Sequence, residues 1–241
     1  MKLAGLLKVT RNVTKSCRVY QFLCNMKIPR IKVLCYIKGV KLYLGSSRIA
    51  DPVGLEKLVG LPLEGLTVAV IGNAKDVRPY EEKATALHQV HKSLGALGLV
   101  TADIDLRDIG NATELKGAMN GFDMVFMTGG DAFVLRESMH RSGFDTAIHE
   151  LLDAGLVYCG ESAGSVVAGM TIASADVEAA SKVSEPIFEG LGLIDKIVLP
   201  HANWRERAGY VEQMIATYGE MILTLSDDQA HIVNQEVPVR L

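Results

Sequence analysis

Leu156-Val-Tyr-Cys-Gly-Glu-Ser-Ala-Gly164 is an apolar run that breaks into a Gly-x-Ser-x-Gly turn, Gly160-Glu161-Ser162-Ala163-Gly164. A helix-compatible segment, Ser165 to Met170, follows directly. Strand, sharp turn and helix in that order make a nucleophile elbow, which holds one serine strained and exposed at the top of a sheet. The glycines two residues either side of Ser162 are required because strand and helix approach too closely there for a Cβ. The N–H of Ala163 falls at the start of the helix, where it can hold a developing oxyanion.

Outward from the elbow, strands and helices alternate. Val40–Leu44, Leu66–Ile71, Val100–Leu106, Met124–Met127, Ile197–Leu199, Ile222–Leu225 and His231–Val233 read as strands. Helical spacing covers a segment from about Asp51, then Pro79–Leu97, Ala112–Met119, Ala132–His140, Asp145–Ala154 and about Arg205–Tyr218. Buried strands separated by helices predict an α/β fold: a doubly wound, mostly parallel sheet with helices on both faces. Ligands bind beyond the C-terminal strand ends of such sheets. Gly129-Gly130-Asp131 and Gly160-Glu161-Ser162 both fall there.

The net charge of −3 conceals an asymmetry. Residues 1–50 hold 11 Lys and Arg and no Asp or Glu, leaving 14 basic against 28 acidic side chains in residues 51–241. An acidic body disfavours nucleic acid as a partner, and no apolar run reaches the ~18 residues of a membrane span. Residues 1–39 are basic, acid-free and contain Cys17, Cys24 and Cys35. Lysines and arginines interrupt any secretory h-region, and transit-peptide composition fits only loosely. This segment is expected to be an extension outside the fold, with a start near Val40 as one reading. Residues 40–241 are then a single domain. Cys159, on the elbow strand, reads as a small buried apolar residue, and low cysteine use suits a reducing, cytoplasmic setting.

A serine hydroxyl needs an adjacent base, normally a histidine oriented by a carboxylate. His88, His91, His140 and His149 lie on helices and His231 inside a strand. His201 ends the strand Val198-Leu-Pro-His201, on the same edge as Ser162, and is the candidate base. Asp176 and Asp227, the latter after Ile222–Leu225 and beside Asp228, are both candidates for the acidic partner; spacing does not choose between them. Gly129-Gly130 can supply a second oxyanion amide, while Asp131 doubles as a helix N-cap. The chain shows no His/Cys/Glu cluster with metal spacing, so no metal or cofactor is expected.

Thr128-Gly-Gly-Asp-Ala-Phe133, Gly160-Glu-Ser-Ala-Gly164, Leu199-Pro-His201 and Leu225-Ser-Asp-Asp-Gln229, in this order, resemble the dipeptidase E/cyanophycinase family of serine peptidases. Lys41-Leu-Tyr-Leu-Gly-Ser-Ser-Arg48 is similar to that family's first strand and turn, and the likeness covers about residues 40–235. The resemblance implies a class I glutamine amidotransferase-like fold, with Ser162 as nucleophile, His201 as base, and Gly130 and Ala163 at the oxyanion-hole positions. Asp176 and Asp227 both match positions assigned to the acidic partner. The implied activity is hydrolysis of small peptides, Asp-X dipeptides among them, by a monomer or homodimer. Asp131 stands where dipeptidase E carries an amide near the substrate. Capture of an aspartyl side chain requires a cation, for which Arg205, Arg207 and Arg48 are candidates. Alternatives are a cyanophycinase-like hydrolase of β-aspartyl peptides, or an amidotransferase-like binding protein without catalysis. An α/β-hydrolase esterase is disfavoured because its histidine comes last in the chain.

Overall fold

The computed structural model describes residues 39–175, 180 and 182–235. The basic extension, up to residue 38, and Asp176 lie outside the described residues.

Among the described residues eight strands form: β1 Val40–Gly45, β2 Thr67–Ile71, β3 Val100–Asp103, β4 Met124–Met127, β5 Val157–Glu161, β6 Ile197–Pro200, β7 Ile222–Leu225 and β8 Ala230–Gln235. The helices are α1 Pro52–Val59, α2 Tyr80–Gly95, α3 Ala112–Ala118, α4 Ala132–Arg141, α5 Phe144–Ala154, α6 Ala163–Ala168 and α7 Ala208–Tyr218. The expected strand over residues 100–106 stops at Asp103. Asp105 accepts from the Arg107 N–H and starts a 3₁₀ turn, Leu106–Asp108. A side-chain cap offers the backbone an alternative to the ladder.

Six strands form one sheet in the order β3-β2-β4-β5-β1-β8, parallel except for β8, which runs antiparallel to β1. Successive side chains of a strand point to opposite faces, and the core divides accordingly. Leu42, Leu44, Val125, Met127 and Tyr158 pack with Leu115 of α3, Leu135 of α4, Ile148 of α5 and Val167 of α6. Tyr43, Phe126, Val157 and Cys159 pack on the other face with Leu55 and Leu58 of α1 and Leu94 of α2. This is the doubly wound arrangement expected from buried strands with no polar alternation.

One part of the architecture differs from a simple reading of the strand pattern. β6 and β7 pair with each other, in parallel, as a separate two-stranded sheet. Ile197 and Leu199 bury against Met214 of α7, while Val198 and Leu225 join the main core. An apolar run reports that a strand is buried, not which strand it pairs with. The crevice beyond the strand C-termini is therefore bounded by β4, β5 and β1 on one side and by the β6–β7 pair on the other.

Candidate active site

β5 lies between β4 and β1, so the turns after these three strands are neighbours. Ser162 follows β5 with φ 49° and ψ −106° and starts α6. Its N–H donates to Gly45 O at 3.0 Å. The Ser165 hydroxyl donates to Gly45 O at 2.7 Å and Gly160 O at 2.9 Å, and Tyr158 Oη donates to Gly164 O at 2.6 Å. A Cβ on Gly160 would sit 2.7 Å from the Gly164 carbonyl, and one on Gly164 would strike Met127 O. The two glycines of the motif thus let the first turn of α6 lie against β5 and β4.

Among the described residues three non-glycines have positive φ: Arg48 at 54°, Ser162 at 49° and His201 at 59°. Each such conformation costs about 1–3 kcal/mol and persists where surrounding structure over-determines it. All three stand at this crevice.

The structure brings Ser162, His201 and Asp227 together. Ser162 Oγ lies 2.9 Å from His201 Nε2, and His201 Nδ1 lies 2.6 Å from Asp227 Oδ1. With the proton on Nδ1, Asp227 accepts from the ring and Nε2 is free to accept from Ser162. Burial pushes the Asp227 carboxyl upward, but hydrogen bonds donated by Trp204, His201 and Ser46 outweigh it and hold its pKa at about 2. It is a fixed anion facing the imidazole.

Two partners of this relay had no signal in the sequence beyond their place in turns. The fully buried Ser46 accepts from the His201 N–H at 2.8 Å and donates to Asp227 Oδ1 at 2.9 Å. Trp204 donates from Nε1 to Asp227 Oδ2 at 2.7 Å and stacks on the His201 ring, centroids 4.2 Å apart at 27°. Ser46 stands in the Gly45-Ser-Ser-Arg48 turn that resembles the family's first turn, which was the available clue.

On the other side of Ser162 lies the Gly129–Gly130 turn; a Cβ on Gly129 would come within 3.2 Å of Ser162 Cβ. Gly130 has φ 148°, and a Cβ there would overlap the Ala74 carbonyl, so only glycine fits. Among the described residues no backbone acceptor takes the Gly130 N–H. Ala163, as the first residue of α6, has no intrahelical acceptor for its own. Glu161, next to Ser162, accepts from the Gly129 N–H at 3.1 Å and from the Arg48 N–H at 3.2 Å.

The remaining candidates sort by their partners. Asp131 Oδ1 caps α4, accepting from the N–H groups of Phe133 and Val134, and Oδ2 pairs with Lys182 at 3.2 Å. The N-cap reading of Asp131 is therefore realised, and both of its oxygens are engaged. The Arg207 guanidinium donates to Pro200 O at 2.7 Å and lies 5.4 Å over the Tyr210 ring, which braces the end of β6. Arg205 and Arg48 are exposed, and neither forms an ion pair among the described residues. No group of three or more His, Cys, Asp or Glu suited to a metal occurs among the described residues. No helix among them is long and apolar enough to cross a membrane.

A doubly wound sheet carrying a serine on a strained elbow, with an imidazole on its hydroxyl, defines a serine hydrolase. The model of Peptidase family S51 matches residues 64–240, so the chain belongs to that family and is a serine-type peptidase. It is 30% identical over 203 residues to a protein of Listeria innocua serovar 6a named as an uncharacterised peptidase, covering 81% of this chain and 93% of that one. It is 30% identical to peptidase E of Streptomyces coelicolor over 118 residues, 49% of this chain and 48% of that one. The crystal structure of a candidate peptidase E from Listeria monocytogenes EGD-e superposes with a TM-score of 0.66 at 27% identity, covering 83% of this chain and 99% of that one. A peptidase from an acI-B1 actinobacterium shares the fold at a TM-score of 0.61 and 15% identity.

Proposed function

We propose that this peptidase cleaves small peptides, Asp-X dipeptides foremost, through an acyl-enzyme on Ser162. The observation that carries the reading is the unbroken contact from Ser162 Oγ to His201 at 2.9 Å and from His201 to Asp227 at 2.6 Å. In this mechanism Ser162 attacks the scissile carbonyl while its proton passes to His201 Nε2, and Asp227 stabilises the imidazolium without taking the proton. The Gly130 and Ala163 amides receive the oxyanion. The imidazolium then protonates the leaving amine as the C–N bond breaks. Water, deprotonated by the same ring, hydrolyses the ester and returns the proton to Ser162.

Asp227 is preferred to Asp176 as the acidic partner because it contacts Nδ1. Arg205 supplies the cation for an acidic substrate side chain, since it is exposed beside Trp204 and Arg207 is committed to Pro200. Low cysteine use fits work in the cytoplasm.

The test is release of amine from Asp-X, Glu-X and neutral dipeptides and from β-aspartyl-arginine, wild type beside Ser162→Ala. Serine-dependent cleavage of Asp-X alone supports the reading. Serine-dependent cleavage of β-aspartyl-arginine alone moves the specificity to the cyanophycinase-like alternative, and cleavage that survives Ser162→Ala removes the mechanism.

A further inference from the structure

Lys75 is the only buried lysine among the described residues, at 7% exposure, and it forms no ion pair there. It ends the 3₁₀ turn Asn73–Lys75 and donates from Nζ to the Gly129 carbonyl. That carbonyl belongs to the peptide unit whose N–H is that of Gly130. A peptide unit is planar and trans, so its C=O and N–H point in opposite directions and holding one aims the other. The residue before Lys75 acts on the far side of the same glycine: Ala74 O accepts from the Asp131 N–H at 2.7 Å. Glu161 holds the Gly129 N–H.

We propose that Lys75 is a positioning residue for the oxyanion hole: its ammonium holds the Gly129 carbonyl, so that the Gly130 N–H points at the oxygen that becomes anionic. This rests on the acyl-enzyme reading above. The cation also polarises the amide it grips, making the Gly130 N–H a stronger donor in a site of low dielectric. Burial pulls the Lys75 pKa down, and the nearby Glu161 carboxylate opposes the shift. A buried cation costs free energy unless partnered, and the geometry here gives it a backbone carbonyl at the point where orientation governs catalysis. Loss of an oxyanion-hole donor costs about 10²–10³ in kcat. Loss of the group that aims it is expected to cost about tenfold to a hundredfold.

The experiment compares wild type, Ser162→Ala, Lys75→Met and Lys75→Arg. It measures the labelling rate by a fluorophosphonate, in which Ser162 Oγ displaces fluoride from phosphorus, together with kcat and KM on a dipeptide the wild type cleaves. Lys75→Met keeps the volume and removes a buried charge whose desolvation costs free energy. The expected result is labelling and kcat reduced about tenfold or more, with KM and thermal midpoint little changed, and substantial recovery in Lys75→Arg. If Lys75→Met does not fold, Lys75→Arg is set against Lys75→Gln. Faster labelling in Lys75→Arg supports the proposal and equal rates overturn it. Labelling of Lys75→Met within twofold of wild type overturns the role of Lys75 while leaving the acyl-enzyme mechanism standing. A wild type that takes no label at Ser162 overturns the acyl-enzyme reading, and the role of Lys75 falls with it.

Discussion

The Ser46 hydroxyl donates to Asp227 Oδ1 across 2.9 Å while accepting the N–H of His201, so the turn after β1 holds both the imidazole residue and the carboxylate beside it. Ser46 is fully buried and follows a strand of the large sheet, whereas Asp227 and His201 follow strands of the small one. The Asp227 carboxylate is thereby fixed from three directions, by Ser46, Trp204 and His201.

The first prediction separates the two candidate aspartates. Asp227→Asn is expected to lower kcat by about 10⁴, the cost of a wrong imidazole tautomer, while Asp176→Asn changes it by no more than a few-fold. Steady-state kinetics on one dipeptide decides; the reverse order would assign Asp176.

The same residue gives a pH dependence of stability. Its folded pKa of about 2 lies below the ordinary 3.8, so the unfolded chain takes up this proton first as pH falls. The contribution is complete above about pH 4 and is lost as pH falls toward about 2. Urea midpoints of wild type and Asp227→Asn at pH 5 and pH 2.5 are expected to differ more at the higher pH. An equal gap at both would mean that Asp227 is not held as a low-pKa anion.

Ser162 stands at φ 49°, where a side chain is strained and glycine is not. Ser162→Gly is expected to raise stability by about 1 kcal/mol, within the 1–3 kcal/mol stored in such a residue, while eliminating turnover. Thermal melts beside Ser162→Ala, which keeps the Cβ, measure it. A glycine variant no more stable than the alanine variant would show that the elbow is not strained.

Trp204→Phe keeps a ring on His201 but removes the donor to Asp227. With Trp204 40% exposed, the loss is expected near 1 kcal/mol, or about fivefold in kcat, with KM unchanged. Trp204→Ala removes the stacking as well and is expected to cost more. Equal kcat in all three proteins would remove the indole from the relay.

For specificity, Arg205→Ala is expected to raise KM about tenfold for Asp-X dipeptides and leave KM for neutral dipeptides alone. A uniform rise across the panel would place the acidic side chain elsewhere, with Arg48 as the next variant.

The elbow, the strand-helix alternation and His201 were legible in the sequence because each has a local signature: paired glycines, burial periodicity, and a proline before a strand-end histidine. The separate β6–β7 sheet was not, since Ile197–Pro200 is as apolar as any strand of the large sheet and pairing is not a local property. Spacing left Asp227 and Asp176 both open; what favours Asp227 is a contact with His201 across 26 residues. Trp204 left no trace, and Ser46 only its place in a turn resembling the family's, for a similar reason. A serine in a turn and a half-exposed tryptophan each have a common bland explanation, and only the assembled crevice gives them a partner.

The division of the site between two sheets has a consequence for the timing of activity. A chain being synthesised completes the strands of the large sheet up to Glu161, and with them the elbow, before His201 and Asp227 have been made. On the acyl-enzyme reading, Ser162 gains its base only when β6 and β7 pair and the Ser46 contact closes. On that reading the elbow is made disarmed, and the segment from β6 onward is the part that arms it.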